Sequence, residues 1–124
     1  MDIIISNMVK EPIYEQIANQ IKSQILQGKL GSRDTLPSIR RLARELKVSV
    51  ITTKRAYEEL EKEGYLTTVG GKGTFVAKRS PAFLHEKRLY LVEQYLKQAV
   101  EAARDLGISQ RELMDLVHTL YREV

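Results

Sequence analysis

A mainly α-helical fold with a small β-hairpin is predicted by three observations on this 124-residue chain. Apolar residues recur at helical spacing in five stretches, two short stretches meet at a two-residue break, and the period changes once from 3.6 to 2 around a glycine-rich tip. The composition, 43% hydrophobic and 29% charged, is that of an ordinary globular chain. With no cysteine, a disulfide scaffold, a thiolate zinc site and a thiol nucleophile are excluded, and His85 and His118 are the only imidazoles. The start, Met1-Asp2-Ile3-Ile4-Ile5-Ser6-Asn7, has no basic n-region, and no run approaches the ~20 apolar residues of a membrane span, so a cytoplasmic location without membrane contact is expected.

Pro12 stands where a first helical residue is expected, and Ile13, Ile17, Ile21 and Ile25 then recur every four residues, with Ala18 and Leu26 widening the stripe until Gly28. This predicts an amphipathic first helix. Residues 28–34 read as a loop by composition. Ser38 is an N-cap ahead of Ile39, Leu42, Ala43 and Leu46, a second helix of about two and a half turns. Lys47-Val48 breaks it, and Ser49 caps a third helix whose inner face is Thr53, Ala56, Tyr57 and Leu60 and which Gly64 ends at the left-handed position. Residues 65–69 and 74–77, rich in β-branched and aromatic side chains, flank Gly70-Gly71-Lys72-Gly73 as a hairpin, and Ile3-Ile4-Ile5 is a candidate third strand.

Lys78-Arg79-Ser80-Pro81 reads as a boundary, because proline interrupts there and the charge balance changes sign. Residues 1–80 hold 14 basic and 9 acidic groups, whereas residues 81–124 hold 6 and 7. We therefore expect one domain over residues 11–79 and a tail over 80–124. In the tail, Leu89, Val92, Leu96, Ala99, Ala103 and Leu106 step by 3, 4, 3, 4, 3, and Leu91, Tyr95 and Ala102 form a second apolar row. Gly107 ends that helix. Ser109-Gln110-Arg111-Glu112 is a capping box that opens a last helix presenting Leu113, Val117, Leu120 and Val124. A helical hairpin this small cannot bury both apolar faces alone, so burial against the first module, a second copy of the chain, or both is expected, with the homodimer favoured over an intramolecular core. The same rows suit a small-molecule effector pocket equally well.

Helix, helix, tight turn, helix, hairpin is the order of a winged helix-turn-helix, in which the helix after the turn enters the DNA major groove and the hairpin reaches an adjacent groove or phosphate row. Charge agrees. Between Ser38 and Arg55 lie Arg40, Arg41, Arg44, Lys47, Lys54 and Arg55 against a single acid, Glu45. The third helix carries Ser49, Thr52, Lys54 and Arg55 in its first half and Glu58, Glu59, Glu61 and Glu63 toward its end, so only the N-terminal half suits a phosphate lattice. At the wing tip Gly71 lets backbone approach DNA and Lys72 supplies a cation. A phosphate-loop reading of that tip fails, because Gly73 follows Lys72 where Ser or Thr is required and strands flank both sides.

Blander roles stand beside these. Arg41 and Arg44 read equally as phosphate contacts or as solvated cations, and Ser38 and Ser49 are helix caps first. Tyr57 and Tyr65 read as core or hairpin packing. His85 and His118 have no companions at ligand spacing, and the acid pairs of the third helix have no partner base, so neither a metal nor a cofactor nor an enzymatic reaction is expected.

Five ordered motifs carry a resemblance: Pro12-Ile13-Tyr14-Glu15-Gln16-Ile17; Leu36-Pro37-Ser38-Ile39-Arg40 with Leu42-Ala43; Thr53 through Glu61; Glu63-Gly64-Tyr65-Leu66; and Gly71-Lys72-Gly73-Thr74-Phe75-Val76. The chain resembles the N-terminal domain of the GntR family of bacterial transcription regulators, and its short tail is similar to that of the YtrA subfamily. The resemblance implies that Arg40 contacts DNA, that Ser49, Val50, Ile51 and Thr52 open the recognition helix with Lys54 one turn on, and that Gly71 and Lys72 are the wing contacts. Many members have Asn-Pro-Asn-Thr where this chain has Ser49-Val50-Ile51-Thr52, so Val50 or Ile51 either meets a thymine methyl or packs inward. The expected function is a dimeric, sequence-specific DNA-binding regulator reading an inverted-repeat operator in double-stranded DNA, with repression implied by the subfamily. The alternative is a winged-helix adaptor that binds protein instead of DNA; RNA binding is weaker still, for want of exposed aromatics on a sheet.

Overall fold

Pro12, with a ψ of 150°, is the N-cap of the first helix and not its first residue, so α1 runs Ile13–Leu26. The computed structural model describes residues 1–123. It continues with α2 (Ile39–Leu46), α3 (Val50–Lys62), β1 (Leu66–Val69), β2 (Gly73–Val76), α4 (Pro81–Asp105) and α5 (Gln110–Glu123). The chain divides into two compact units, the first being Met1–Leu84 and the second beginning at His85.

In the first unit α3 packs against both α1 and α2. Its inner residues Thr53, Ala56, Tyr57 and Leu60 are buried, as are Ile17 and Ile21 of α1 and Leu42 and Ala43 of α2. Each predicted stripe thus faces the core, at roughly 1.5–3 kcal/mol for each large side chain buried. Polar atoms inside are satisfied: the Thr53 hydroxyl donates to the Ser49 carbonyl at 3.1 Å, and the Tyr57 hydroxyl to the Pro37 carbonyl at 2.7 Å.

Helices α1 to α4 all end in the same way. One residue just past each helix donates across the last turn while the next residue donates five positions back: Lys29 to Gln24, Val48 to Ala43, Tyr65 to Leu60 and Ile108 to Ala103. The motif places one residue in the left-handed region, occupied by Gly28, Gly64 and Gly107 at three of the ends. At the fourth, inside the helix-turn-helix, it is Lys47, with φ +57°.

Strands β1 and β2 pair antiparallel from Leu66↔Val76 to Val69↔Gly73. The end of the stretch read as a loop, with Thr35 and Leu36 just after it, supplies a third row: Thr35 bridges Phe75, with Arg33 donating to Val76, Val76 to Asp34 and Leu36 to Thr74 at 2.8–2.9 Å. The candidate strand at Ile3–Ile5 lies elsewhere. Residues 2–6 run along α1, held by three glutamines one helical turn apart. Gln24 donates to the Asp2 carbonyl, Gln20 both donates to and accepts from Ile4, and Gln16 does the same with Ser6, at 2.7–2.9 Å. Gln16 also donates to the Glu11 carbonyl, which explains how its amide is tolerated in a buried position.

In the second unit the predicted capping box is present, with Glu112 N–H donating to the Ser109 hydroxyl and Ser109 N–H to the Glu112 carboxylate. Helices α4 and α5 have little mutual contact beyond their connection. Their apolar faces therefore stay open: Leu89, Val92, Tyr95, Leu96, Leu106 and Leu120 are exposed, Tyr95 by 66% and Leu106 by 77%. Ala99, Leu113 and Val117 are half-buried, and Ala103 is the one buried residue among the described tail positions. Val124, the last residue of the predicted face, lies outside the described residues. Among the described residues no helix is long and apolar enough to cross a membrane.

Candidate nucleic-acid interface

The N-termini of α2 and α3 are each closed by a serine. The Ser38 hydroxyl accepts from Arg41 N–H at 3.1 Å and the Ser49 hydroxyl from Thr52 N–H at 3.0 Å. Ser49 also donates to the Thr52 hydroxyl at 2.7 Å, which fixes the rotamer of the half-buried Thr52 at the opening of α3. Both predicted caps are thus observed as caps.

With Thr53, Ala56, Tyr57 and Leu60 turned inward, the opposite face of α3 presents Ile51, Lys54, Arg55 and Glu58. Val50 is half-exposed and Ile51 is 81% exposed, so the departure at the start of α3 turns outward and not into the core. Lys54 lies 3.9 Å from Glu58 and Arg41 2.8 Å from Glu45, both exposed pairs one turn apart. Such pairs contribute about 0–1 kcal/mol and exchange readily for a stronger anion. Arg40 and Arg44 are exposed on α2 and have no ion pair among the described residues.

Arg55 is held differently. Its guanidinium carbon sits 3.8 Å from the centre of the Tyr14 ring at the start of α1. The Tyr14 hydroxyl donates to the Glu15 carboxylate at 3.1 Å, and that bond, more than burial, pushes the phenol above its ordinary pKa and keeps it neutral. This contact joins residues 41 positions apart and leaves no mark in the pattern of either helix. Tyr57 and Tyr65 are core residues: burial pushes both phenols up, Tyr65 to about 12 with Glu63 adding to the effect.

At the wing, Gly70, Gly71 and Lys72 link the strands, with Lys72 N–H donating to the Val69 carbonyl at 2.9 Å and Gly71 at φ +76°. A Cβ on Gly71 would meet nothing within 4 Å, so the tip is open to a large partner and Lys72 stands exposed at its end. Where the wing joins α3, Arg79 Nε donates to the Gly64 carbonyl at 2.6 Å, and its guanidinium lies 5.2 Å from the Phe83 ring, which meets Tyr65 edge-on at 6.0 Å. Lys22 ties the same corner to α1 through Glu63 at 3.0 Å and the Tyr65 ring.

A helix-turn-helix with an exposed cationic start to its second helix, followed by an open cationic hairpin, defines a winged-helix DNA-binding transcriptional regulator. Residues 13–76 match the family model described as bacterial regulatory proteins, gntR family. The chain belongs to that family. It is 34% identical to the HTH-type transcriptional repressor YtrA of Bacillus subtilis over 113 residues, 91% of this chain and 87% of that one. Among solved structures, a GntR family transcriptional regulator from Listeria monocytogenes superposes with a TM-score of 0.80 at 28% identity, covering 93% of this chain and 98% of that one. The structure described as AraR(DBD) in complex with operator ORX1 superposes at 0.55 with 31% identity, covering 62% of this chain and 96% of that one. Within the family the chain is YtrA-like, and like these relatives it is a regulator, not an enzyme.

Proposed function

We propose that this chain is a cytoplasmic repressor that binds an inverted-repeat operator as a homodimer. Residues 11–79 are the reader and residues 80–124 the dimerisation tail. The observation that carries sequence reading is Ile51, an apolar side chain 81% exposed among cations on the outer face of α3. A solvated isoleucine there has no packing role, and a thymine methyl in the major groove is a partner of matching chemistry. Val50, Ile51, Thr52 and Lys54 read base edges, while Arg40, Arg41, Arg44, Arg55, Gly71 and Lys72, with the capped N-termini at Ser38 and Ser49, bind phosphates and set register.

The open apolar rows of α4 and α5 support the dimer: a chain this small leaves Leu89, Val92, Tyr95, Leu96, Leu106 and Leu120 to solvent only if something else covers them, and a second copy presents the same rows by symmetry. Two copies place two recognition helices about one DNA turn, or a multiple, apart. Repression is the action named for the YtrA relative. Selection from a random duplex pool at moderate salt tests the reading. Enrichment of an inverted repeat is the expected result. A folded protein with no affinity for any duplex would overturn it in favour of the adaptor.

A further inference from the structure

Of the basic side chains on the outer turns of α3, Lys54 points to a carboxylate one turn on, whereas Arg55 has no ion pair among the described residues. Glu59 stands one turn from Arg55 on α3, and Glu15 accepts from the Tyr14 hydroxyl, yet neither is within ion-pair distance of the guanidinium. Its guanidinium sits instead over an aromatic ring from a different helix, with 3.8 Å between the guanidinium carbon and the ring centre. The guanidinium carries several N–H donors, so a contact with a ring leaves donors for an acceptor, and it removes rotamer freedom that binding would otherwise have to remove. The contact ties Arg55, on the outer face of α3, to the start of α1.

We propose that Tyr14 is a positioning residue that holds Arg55 at the rim of the reading surface as a preformed donor to one DNA phosphate. This rests on the DNA-binding reading above and assigns to α1 a part in binding that its own charge does not suggest. The ring is the working element and the hydroxyl is not. Tyr14→Phe therefore keeps the function, and Tyr14→Leu, which keeps an apolar side chain at the helix start without a π-face, loses it.

The experiment measures binding of the full chain to a labelled random-sequence duplex and to a duplex from the enriched pool, over a salt series, for wild type, Tyr14→Phe, Tyr14→Leu, Arg55→Ala and the Tyr14→Leu/Arg55→Ala double variant. Thermal melts verify folding. Arg55→Ala is expected to weaken both duplexes alike and to reduce the salt slope by about one. Tyr14→Leu is expected to weaken both about threefold, the scale of an exposed cation–π contact, and Tyr14→Phe to match wild type. In the Arg55→Ala background Tyr14→Leu then has no further effect. An equal loss from Tyr14→Leu with and without Arg55 would overturn the proposal, since Tyr14 would then serve only the fold. A relaxed preference at one base pair, with the salt slope unchanged in Arg55→Ala, would make Arg55 a base reader and overturn the phosphate assignment. If wild type holds neither duplex at any salt while remaining folded, the underlying DNA reading fails instead.

Discussion

Replacing Gly64 with alanine is expected to destabilise the winged domain by about 2–4 kcal/mol, and the sum comes from two separable causes. Gly64 ends α3 at φ +89°, where a side chain costs about 1–2 kcal/mol. Its Cβ would also lie 2.8 Å from Arg79 Nη2 and 3.1 Å from Cζ, while Arg79 Nε donates to the carbonyl of the same residue at 2.6 Å. Arg79 is exposed and can swing away, but it then gives up a charge-assisted bond whose net worth is about 1–2 kcal/mol. In an Arg79→Ala background the second cause is already absent, so Gly64→Ala is expected to cost only the backbone part. A coupling of about 1–2 kcal/mol between the two sites follows. Urea midpoints of the four proteins, followed by circular dichroism at one fixed protomer concentration, measure it. A Gly64→Ala midpoint indistinguishable from wild type would refute the backbone argument, and strictly additive losses would refute the close approach.

Lys47 occupies the left-handed position that glycine fills at the other three of these helix ends, so Lys47→Gly is expected to raise the urea midpoint, by about 0.5–1 kcal/mol after the extra entropy of unfolded glycine. Loss of stability there would contradict the strain. Above pH 10 the unfolded chain releases tyrosine protons that folded Tyr57 and Tyr65 retain, Tyr65 to about pH 12. Stability is therefore whole below pH 10 and falls as pH rises from 10 toward 12, by at most ~1.4 kcal/mol per pH unit per tyrosine. A midpoint that stays flat to pH 11.5, or a fall just as steep in Tyr65→Phe, would count against it. On DNA, Arg40→Ala is expected to weaken cognate and random duplexes similarly, whereas Thr52→Ala is expected to lower cognate affinity more; equal losses for Thr52→Ala would remove it from base reading.

Much of the reader was legible because its signals are local. The inner faces of α1, α2 and α3 follow from apolar spacing, and Ser38, Ser49 and the Ser109–Glu112 box announce helix starts through side chains that can reach their own backbone. What escaped depends on distant partners. Lys47 has no preference for positive φ, and the turn imposes it. The Thr35 bridge is one residue of pairing directly after a loop of turn-forming composition. Ile3-Ile4-Ile5 reads as a strand because β-branched residues favour extended backbone, but the partner of this segment is a row of side chains and not a sheet. At the interface, the polarity of α3 was readable from its own charges. The seat of Arg55 was not, because Tyr14 belongs to another helix.

The glutamine row on α1 works as a vernier between two rulers. Four helical residues advance about 6.0 Å and two extended residues about 6.6 Å, so each rung gains roughly 0.6 Å of mismatch. Across the three rungs from Asp2–Gln24 to Ser6–Gln16 the drift is about 1.2 Å, which side-chain amides can absorb by small torsions. A fourth rung would approach the tolerance of a hydrogen bond, and Pro12 and Gly28 stand one turn beyond the row at either end. The arrangement is thus self-limiting. Its register is specified to the residue, so deleting one position within 2–6 misaligns the remaining rungs, while the irregular residues 7–11 leave slack for a change of length.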